Sequence, residues 1–359
     1  MGSQRDQKGS TVSNRSHRVF LITGVSSGFW HAFAEAALAA GNTVIGTLRS
    51  EAARLEFENL HATRAHGVVL DVADLVAVEP TINQAAELFG PVDVLVNNAG
   101  YGHEGIMEES SLDDLLDQFN VNVFGAVAMI KAVLPSMRRR RAGHIINITS
   151  MAGHVGLPGV RYYCGSKFAL EGISQALAQE VRGLGIKVSA VAPGSFRTDW
   201  AGRSMVRAER SIGDYDAVFD GVRQARLAKS GKQAGDPAKA AVALLSLVEN
   251  EHPPTNLLLG NDAFELVMDR LSAVGRDLQA WEAVSRGRTS PDRVHGRHHG
   301  SLMARLNCFT SNTRRASKTR FPYQTDEQAL RAKCGAKVDR DDHGSDTLLC
   351  ESCRFDERV

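Results

Sequence analysis

The chain has 359 residues, is 43% hydrophobic and carries a formal net charge of +1. That is ample for a buried core and leans towards one large domain, and the near balance of charge gives no reason to expect nucleic acid or an anionic membrane as a partner. Only Cys164 lies in the first 300 residues, and the other four cysteines crowd into the last 52, so a disulfide framework is excluded for the main domain and a reducing, cytoplasmic setting is expected.

The first sixteen residues, MGSQRDQKGSTVSNRS, are polar, lack the apolar centre of a signal peptide and are expected to be disordered. Position 6 is Asp6, so the N-myristoylation pattern fails. No apolar run approaches the roughly 20 residues of a membrane span. From Arg18 to about Ser285, short β-branched runs alternate with longer amphipathic stretches. RVFLIT (18–23), NTVIGTL (42–48), VVLDV (68–72), DVLVN (93–97), HIINIT (144–149), KVSAVA (187–192) and NLLLG (256–260) read as strands. Several are apolar without alternation, as strands buried on both faces of a parallel sheet should be. HAFAEAALAA (31–40), the stretch 116–137 and the stretch 168–184 read as helices. The alternation predicts a doubly wound α/β fold, a Rossmann-like parallel sheet of about seven strands in one domain over 17–285.

Arg138 to Arg141 read as a solvated helix end, where cations suit the macrodipole. Residues 286–359 carry fifteen Lys/Arg, ten Asp/Glu and four His with little apolar periodicity, so this polar tail is expected to stay disordered. It holds Cys308, Cys334, His343 and the pair Cys350-x-x-Cys353. One CxxC without a second regularly spaced ligand pair predicts no metal site.

The first strand runs into Thr23-Gly24-Val25-Ser26-Ser27-Gly28-Phe29-Trp30, and a helix follows. Exposed amides and the helix dipole at such a turn suit a pyrophosphate, which makes Gly24, Ser26, Ser27, Gly28 and Phe29 candidate cofactor contacts. The second strand ends at Arg49, where a guanidinium pairs with a 2′-phosphate and an acid would have bonded a ribose hydroxyl. NADP(H) is therefore expected ahead of NAD(H). Asp71 and Val72 are expected to close the third strand, with the carboxylate accepting from an adenine amino group. Asn98, Ala99 and Gly100 follow the fourth strand, and Pro193 and Gly194 end the sixth, at the carboxyl edge where ligands bind in such sheets.

Tyr163 and Lys167 stand four residues apart in YCGSK, thirteen residues after Ser150. Residues at i and i+4 share a helix face, which sets a phenol beside an ammonium. An ordinary tyrosine is only about 0.1% phenolate at neutral pH, and lowering its pKa by roughly three units takes about 4 kcal/mol. A desolvated lysine and a positively charged cofactor ring can supply this, and Ser150 can hold a substrate oxygen against the phenol.

Taken together, TGxxxG, NNAG (97–100), Asn122 in NVFG, Ser150 and YCGSK resemble the classical short-chain dehydrogenase/reductases over about residues 17–285. GTLR and PGSFRTDW resemble the branch of retinol and 17β-hydroxysteroid dehydrogenases. The resemblance implies Tyr163 as general acid/base, Lys167 as the group that lowers its pKa and holds the nicotinamide ribose, and Ser150 as the group that orients the carbonyl. It implies that Asn122 holds a water linking Lys167 to solvent, and that Thr198 contacts the nicotinamide carboxamide. It places a substrate lid at 200–230, where Trp200 and Met205 either line an apolar pocket for a hydrophobic alcohol or ketone or pack a core. It pairs the helices 112–137 and 162–184 across the interface of a homodimer or homotetramer. One position departs: Trp30 stands where the family has its third glycine. The fold is expected to survive this, with cofactor binding tolerated or impaired, and a cofactor-sensing or scaffold protein is the alternative to an enzyme.

Overall fold

The computed structural model describes residues 17–26, 29–198, 200, 202 and 204–287, with two short strands at 338–340 and 346–348. The chain divides into two units, Met1–Gly287 and Arg288–Val359. In the second, Val338–Arg340 pairs antiparallel with Asp346–Leu348; the four tail cysteines and His343 lie outside the described residues.

Among its described residues the first unit has nine strands: β1 (Val19–Thr23), β2 (Thr43–Leu48), β3 (Ala65–Val69), β4 (Val94–Asn97), β5 (Gly102–Glu104), β6 (Gly143–Ile148), β7 (Ile186–Pro193), β8 (Met205–Arg207) and β9 (Asn256–Leu259). Seven form one parallel sheet in the order β3-β2-β1-β4-β6-β7-β9. The order reverses between β1 and β4, the crevice where ligands bind in open α/β sheets. β5 and β8 make a separate parallel pair.

Period-two side-chain alternation sends Phe20 and Ile22 of β1 to one face of the sheet and Val19 and Leu21 to the other. On the first face they meet helices α1 (Phe29–Ala39) and α8 (Pro237–Glu249) through Phe33, Ala37 and Leu244. On the second they meet α3 (Leu75–Phe89), α5 (Ala126–Arg140) and α6 (Arg161–Val181) through Ile82, Met129 and Leu177. Burial on both faces is why VFLIT is apolar at every position but the last.

Two expectations need correction. The third strand lies at 65–69, not 68–72, because its register on β2 runs from Val44↔Ala65 to Leu48↔Val69. Leu70 and Val72 are apolar because they fill the core beyond the strand, and Asp71 lies past its end. The helical run from Leu112 to Arg140 is also longer than expected, and by length and composition it is apolar enough to cross a membrane. Here its apolar side chains Met129, Ile130, Val133 and Met137 are buried in the core. The run starts at Leu112 because Ser111 and Asp114 form a capping box at α4 (Leu112–Phe119), and a π-helical stretch, Asn120–Gly125, joins α4 to α5.

Candidate active site

The turn after β1 is tied to its neighbours by uncharged groups. Gly24 takes φ 71°, and a Cβ there would come within 3.2 Å of the Ala99 backbone. Its amide donates to the Thr47 carbonyl at 3.1 Å, so Gly24 serves the turn geometry. The buried Thr23 hydroxyl accepts from the amides of Asn98 (2.9 Å) and Ala99 (2.8 Å). The Asn98 side-chain amide donates back to the carbonyls of Thr23 (2.7 Å) and Gly24 (3.0 Å). Asn98 therefore staples the loop after β4 to the glycine turn. Ser26 is exposed. The Phe29 ring packs in the core, 5.3 Å from Phe196, so any cofactor contact at Phe29 falls to its backbone in the first turn of α1. Ser27, Gly28 and the Trp30 side chain lie outside the described residues; α1 itself forms across position 30.

Arg49 is exposed at the end of β2. Asp71 is exposed too, its carboxylate accepting from the Ala73 amide at 2.9 Å. Val72 is buried, and its carbonyl would lie 2.8 Å from a Cβ at Gly125. The absent side chain lets the π-helical stretch approach the β3 end. π-Bulges of this kind cluster at functional sites, and this one carries Asn122. The Asn122 Oδ1 accepts from the Tyr101 amide (3.1 Å), and its Nδ2 donates to the Tyr101 carbonyl (3.1 Å) and the Ser166 hydroxyl (3.0 Å). Ser166 donates in turn to the Tyr163 carbonyl at 2.7 Å. Gly100 sits against this amide, since a Cβ there would lie 2.9 Å from Oδ1. The side chain of Asn122 is thus a clamp between the Asn98–Tyr101 loop and α6. A water relay through it rests on the resemblance alone.

Ser150, Tyr163 and Lys167 converge just beyond the carboxyl end of β6, and all three are buried. Ser150 caps a single 3-10 turn, Met151–Gly153, accepting from the Ala152 amide at 3.1 Å. Burial pushes the Tyr163 phenol up to about 12, and a hydrogen bond with Ser150 pulls against that rise. Burial drives the Lys167 ammonium down to about 8, opposed by the charge of Glu171. Lys167 Nζ donates to the Ile148 carbonyl at 2.8 Å and stands 5.7 Å from the Tyr163 ring centre. Sequence reasoning expected the lysine to depress the phenol; in the protein alone burial dominates, and the ammonium is aimed at a carbonyl. The arrangement offers a protonated phenol, a hydroxyl beside it and a desolvated cation within one small site.

At the β7 end, Gly194 donates to the Leu259 carbonyl at 2.8 Å, and Pro193 is partly buried. Asp262, in the first turn of α9 (Asn261–Ala280), accepts from the Ser195 amide at 2.8 Å. The Thr198 hydroxyl accepts from the Trp200 amide at 3.4 Å and lies 3.5 Å from the Phe196 carbonyl, which makes it a turn-holding residue here. Trp200 tilts over Tyr163, ring centres 5.0 Å apart, and Met205 is buried. A Cβ at Gly102 would lie 2.9 Å from each of these two side chains. Trp200 therefore forms a wall of the site, and Met205 seats the segment behind it.

That segment is anchored by a residue the sequence did not single out. Glu104 of β5 is 1% exposed and is paired with Arg207 of β8 (3.2 Å) and with Arg223 (3.4 Å) and Arg226 of α7 (Asp216–Ala228). Arg226 also donates to the Pro158 carbonyl on the loop before α6 at 3.1 Å. Isolated between His103 and Gly105, Glu104 gave no spacing pattern to read.

The donor set at this sheet edge fits a nicotinamide dinucleotide. It comprises the N-terminus of α1, the exposed Arg49 guanidinium, the Asp71 carboxylate and the buried Lys167 ammonium. Among the described residues no group of three or more His, Cys, Asp or Glu is placed to hold a metal ion.

Residues 18–207 match the family described as short chain dehydrogenase. The chain is 36% identical over 269 residues to Oxidoreductase BOA17 of Botryotinia fuckeliana, covering 75% of this chain and 98% of that protein. It is 37% identical over 245 residues to 3-ketodihydrosphingosine reductase of Bacteroides thetaiotaomicron, covering 68% and 88%. Among solved structures, a short-chain dehydrogenase from Streptomyces avermitilis is 40% identical with a TM-score of 0.72, covering 77% of this chain and 99% of that one. Two further structures of this fold hold dinucleotides. ElxO was solved with NADP (26% identity, TM-score 0.57, 68% and 97% covered), and a short chain dehydrogenase/reductase from Burkholderia phymatum with NAD (26%, 0.62, 77% and 97%).

Proposed function

Because this chain belongs to the short-chain dehydrogenase/reductase family, we propose that it is an NADP(H)-dependent oxidoreductase that interconverts a secondary alcohol and a ketone or aldehyde, with Tyr163 as general acid/base. The observation that carries the reading is the buried convergence of Ser150, Tyr163 and Lys167 at the crevice edge of the sheet. The nicotinamide supplies or accepts the hydride when bound. Ser150 orients the substrate oxygen beside the phenol. A phenol held protonated by burial is in the state that reduction uses, giving its proton to the alkoxide. Lys167 keeps a positive charge next to that proton transfer and holds the nicotinamide ribose. Asn122, acting through Ser166, fixes the helix that carries both.

Arg49 supports NADP(H) over NAD(H), since an exposed guanidinium at the β2 end suits a 2′-phosphate. Gly24, Ser26, Ser27, Gly28, the Phe29 backbone, Asp71, Val72, Ala99, Gly100, Pro193, Gly194 and Thr198 complete the proposed cofactor edge. Trp200 over Tyr163 supports a bulky apolar ketone, as does the 3-ketodihydrosphingosine reductase relative. The GTLR and PGSFRTDW segments support the retinol/17β-hydroxysteroid dehydrogenase-like branch. Exposed Leu112, Leu116, Phe124 and Phe168 on the 112–140 and 161–181 helices support a homodimer or homotetramer. The catalytic domain is taken as 17–285, with the polar tail 286–359 outside it, and the setting as cytoplasmic.

Trp30, at the second position of α1 where the family has its third glycine, favours a second reading, a cofactor-sensing or scaffold protein with impaired turnover. Titration of NADPH into the wild type and Trp30→Gly separates the two. The enzyme reading expects micromolar binding by the wild type and reduction of a member of a ketone panel. Binding that appears only in Trp30→Gly would favour the scaffold.

A further inference from the structure

We propose that α9 carries an interface for a second copy of this chain: its exposed apolar stripe, from Phe264 to Trp281, pairs antiparallel with the same stripe of the other copy. This face is separate from the 112–140 and 161–181 helices, and the inference does not depend on the enzyme reading above.

α9 is held to the rest of the domain by its first turns, where Ala263 and Val267 are buried and Asp262 accepts from the Ser195 amide. Beyond them the helix leaves large apolar side chains uncovered. Phe264 is 58% exposed, Leu271 56%, and Leu278 and Trp281 66% each. Single exposed apolar residues are ordinary, but a continuous row of them marks an interaction surface. The row also has a regular spacing. Phe264, Val267, Leu271, Val274, Leu278 and Trp281 follow one another at intervals of three, four, three, four and three, the heptad repeat of a coiled-coil seam.

The seam is complementary to itself when reversed. Turned about a point between Ser272 and Ala273, it sets Phe264 against Trp281, Val267 against Leu278 and Leu271 against Val274 of the other copy. A two-fold interface requires such self-complementarity. Val267 is already seated on its own chain, so the Phe264–Trp281 and Leu271–Val274 layers carry the contact. The flanks of the seam match in the same register. On one flank Arg270 comes opposite Asp277 of the other copy, and neither has an opposite charge three or four residues away on its own helix. On the other flank Met268 comes opposite Gly275, where a Cβ would meet nothing within 4 Å, so the thioether has room. A lipid surface fits this helix less well. Asn261–Ala280 carries four acidic side chains and two arginines, whereas helices that lie in a membrane interface are rich in Lys and Arg.

The test is the mass of the full-length protein in solution, followed by sedimentation velocity over a range of concentrations. Positions 270, 271 and 277 are exposed, so substitutions there leave the fold in place, which circular dichroism checks. Leu271→Glu puts a charge into the seam and should halve the mass of the assembly. Arg270→Asp sets like charges across the two-fold and should raise the dissociation constant about tenfold. Combining it with Asp277→Arg restores opposite charges and should return the constant to the wild-type value. A wild type that stays a single copy overturns the proposal, and its sedimenting with phosphatidylglycerol vesicles would assign the stripe to lipid instead. An assembly whose mass Leu271→Glu leaves unchanged overturns it too. A double variant that stays as weak as Arg270→Asp overturns the antiparallel register. None of these outcomes depends on turnover, so a chain that reduces no ketone leaves the interface standing and removes only the enzyme reading.

Discussion

On the β1 side of the site, Thr23, Thr47 and Asn98 hold the glycine turn through neutral bonds to backbone groups. On the lid side, β8 and α7 are held through charge, with three arginines gathered on the single buried carboxylate of Glu104. In the proposed enzyme the turn presents backbone to a cofactor in one fixed geometry, and neutral bonds to part-buried amides supply that without responding to salt. In the proposed enzyme this segment is the lid that seats Trp200 over Tyr163, and charged bonds across 103 residues or more of chain do this with few contacts. The two walls of one site should therefore fail differently when their fastenings are removed.

Glu104→Gln breaks the charged fastening and should have the larger effect. Removing one partner of a fully buried ion pair typically costs about 3–5 kcal/mol, and here the three part-exposed arginines left behind place the loss near the lower end of that range. Urea unfolding should report that loss. In conditions where the variant is folded, KM for the ketone should rise while the NADPH dissociation constant holds. If NADPH binding weakens as much as ketone binding, the two walls are not separately fastened.

Thr23→Val breaks the neutral fastening with little change of shape. It strands the part-buried Asn98 and Ala99 amides, each of which should cost near the lower end of the about 1–3 kcal/mol of an unsatisfied buried donor. The stability loss should be near 2 kcal/mol, smaller than for Glu104→Gln, and the functional loss should fall on NADPH affinity with ketone KM unchanged. The opposite pattern would place the lid, not the turn, under the control of Thr23.

Much of this was legible in the sequence, and the exceptions share a cause. Six of the seven main-sheet strands lie within one residue of their expected ends, because double-sided burial writes an uninterrupted apolar run. The third misled because AHGVV places His66 and Gly67 in the strand and leaves the apolar Leu70 and Val72 to the core beyond it. The Ser150, Tyr163 and Lys167 set was legible because its spacing is local to one strand end and one helix. Glu104 and the β5–β8 pair were not, because three-residue strands carry no periodicity and the arginines that meet Glu104 lie more than 100 residues away. The clamp role of Asn122 was hidden for a related reason: its partners Tyr101 and Ser166 come from two other elements.

In the proposed reaction Tyr163 transfers a proton to substrate while NADPH delivers the hydride, and one pair of measurements addresses this directly. Single-turnover NADPH oxidation should be followed with a ketone that the wild type reduces, in the wild type and in Tyr163→Phe, at pH 7, below the Lys167 midpoint near 8 where that group keeps its proton. The account predicts a roughly 10²–10⁴-fold slower step in the variant, with the NADPH dissociation constant unchanged within about twofold, a difference of only about 0.4 kcal/mol. A Tyr163→Phe protein that oxidises NADPH at the wild-type rate would contradict it.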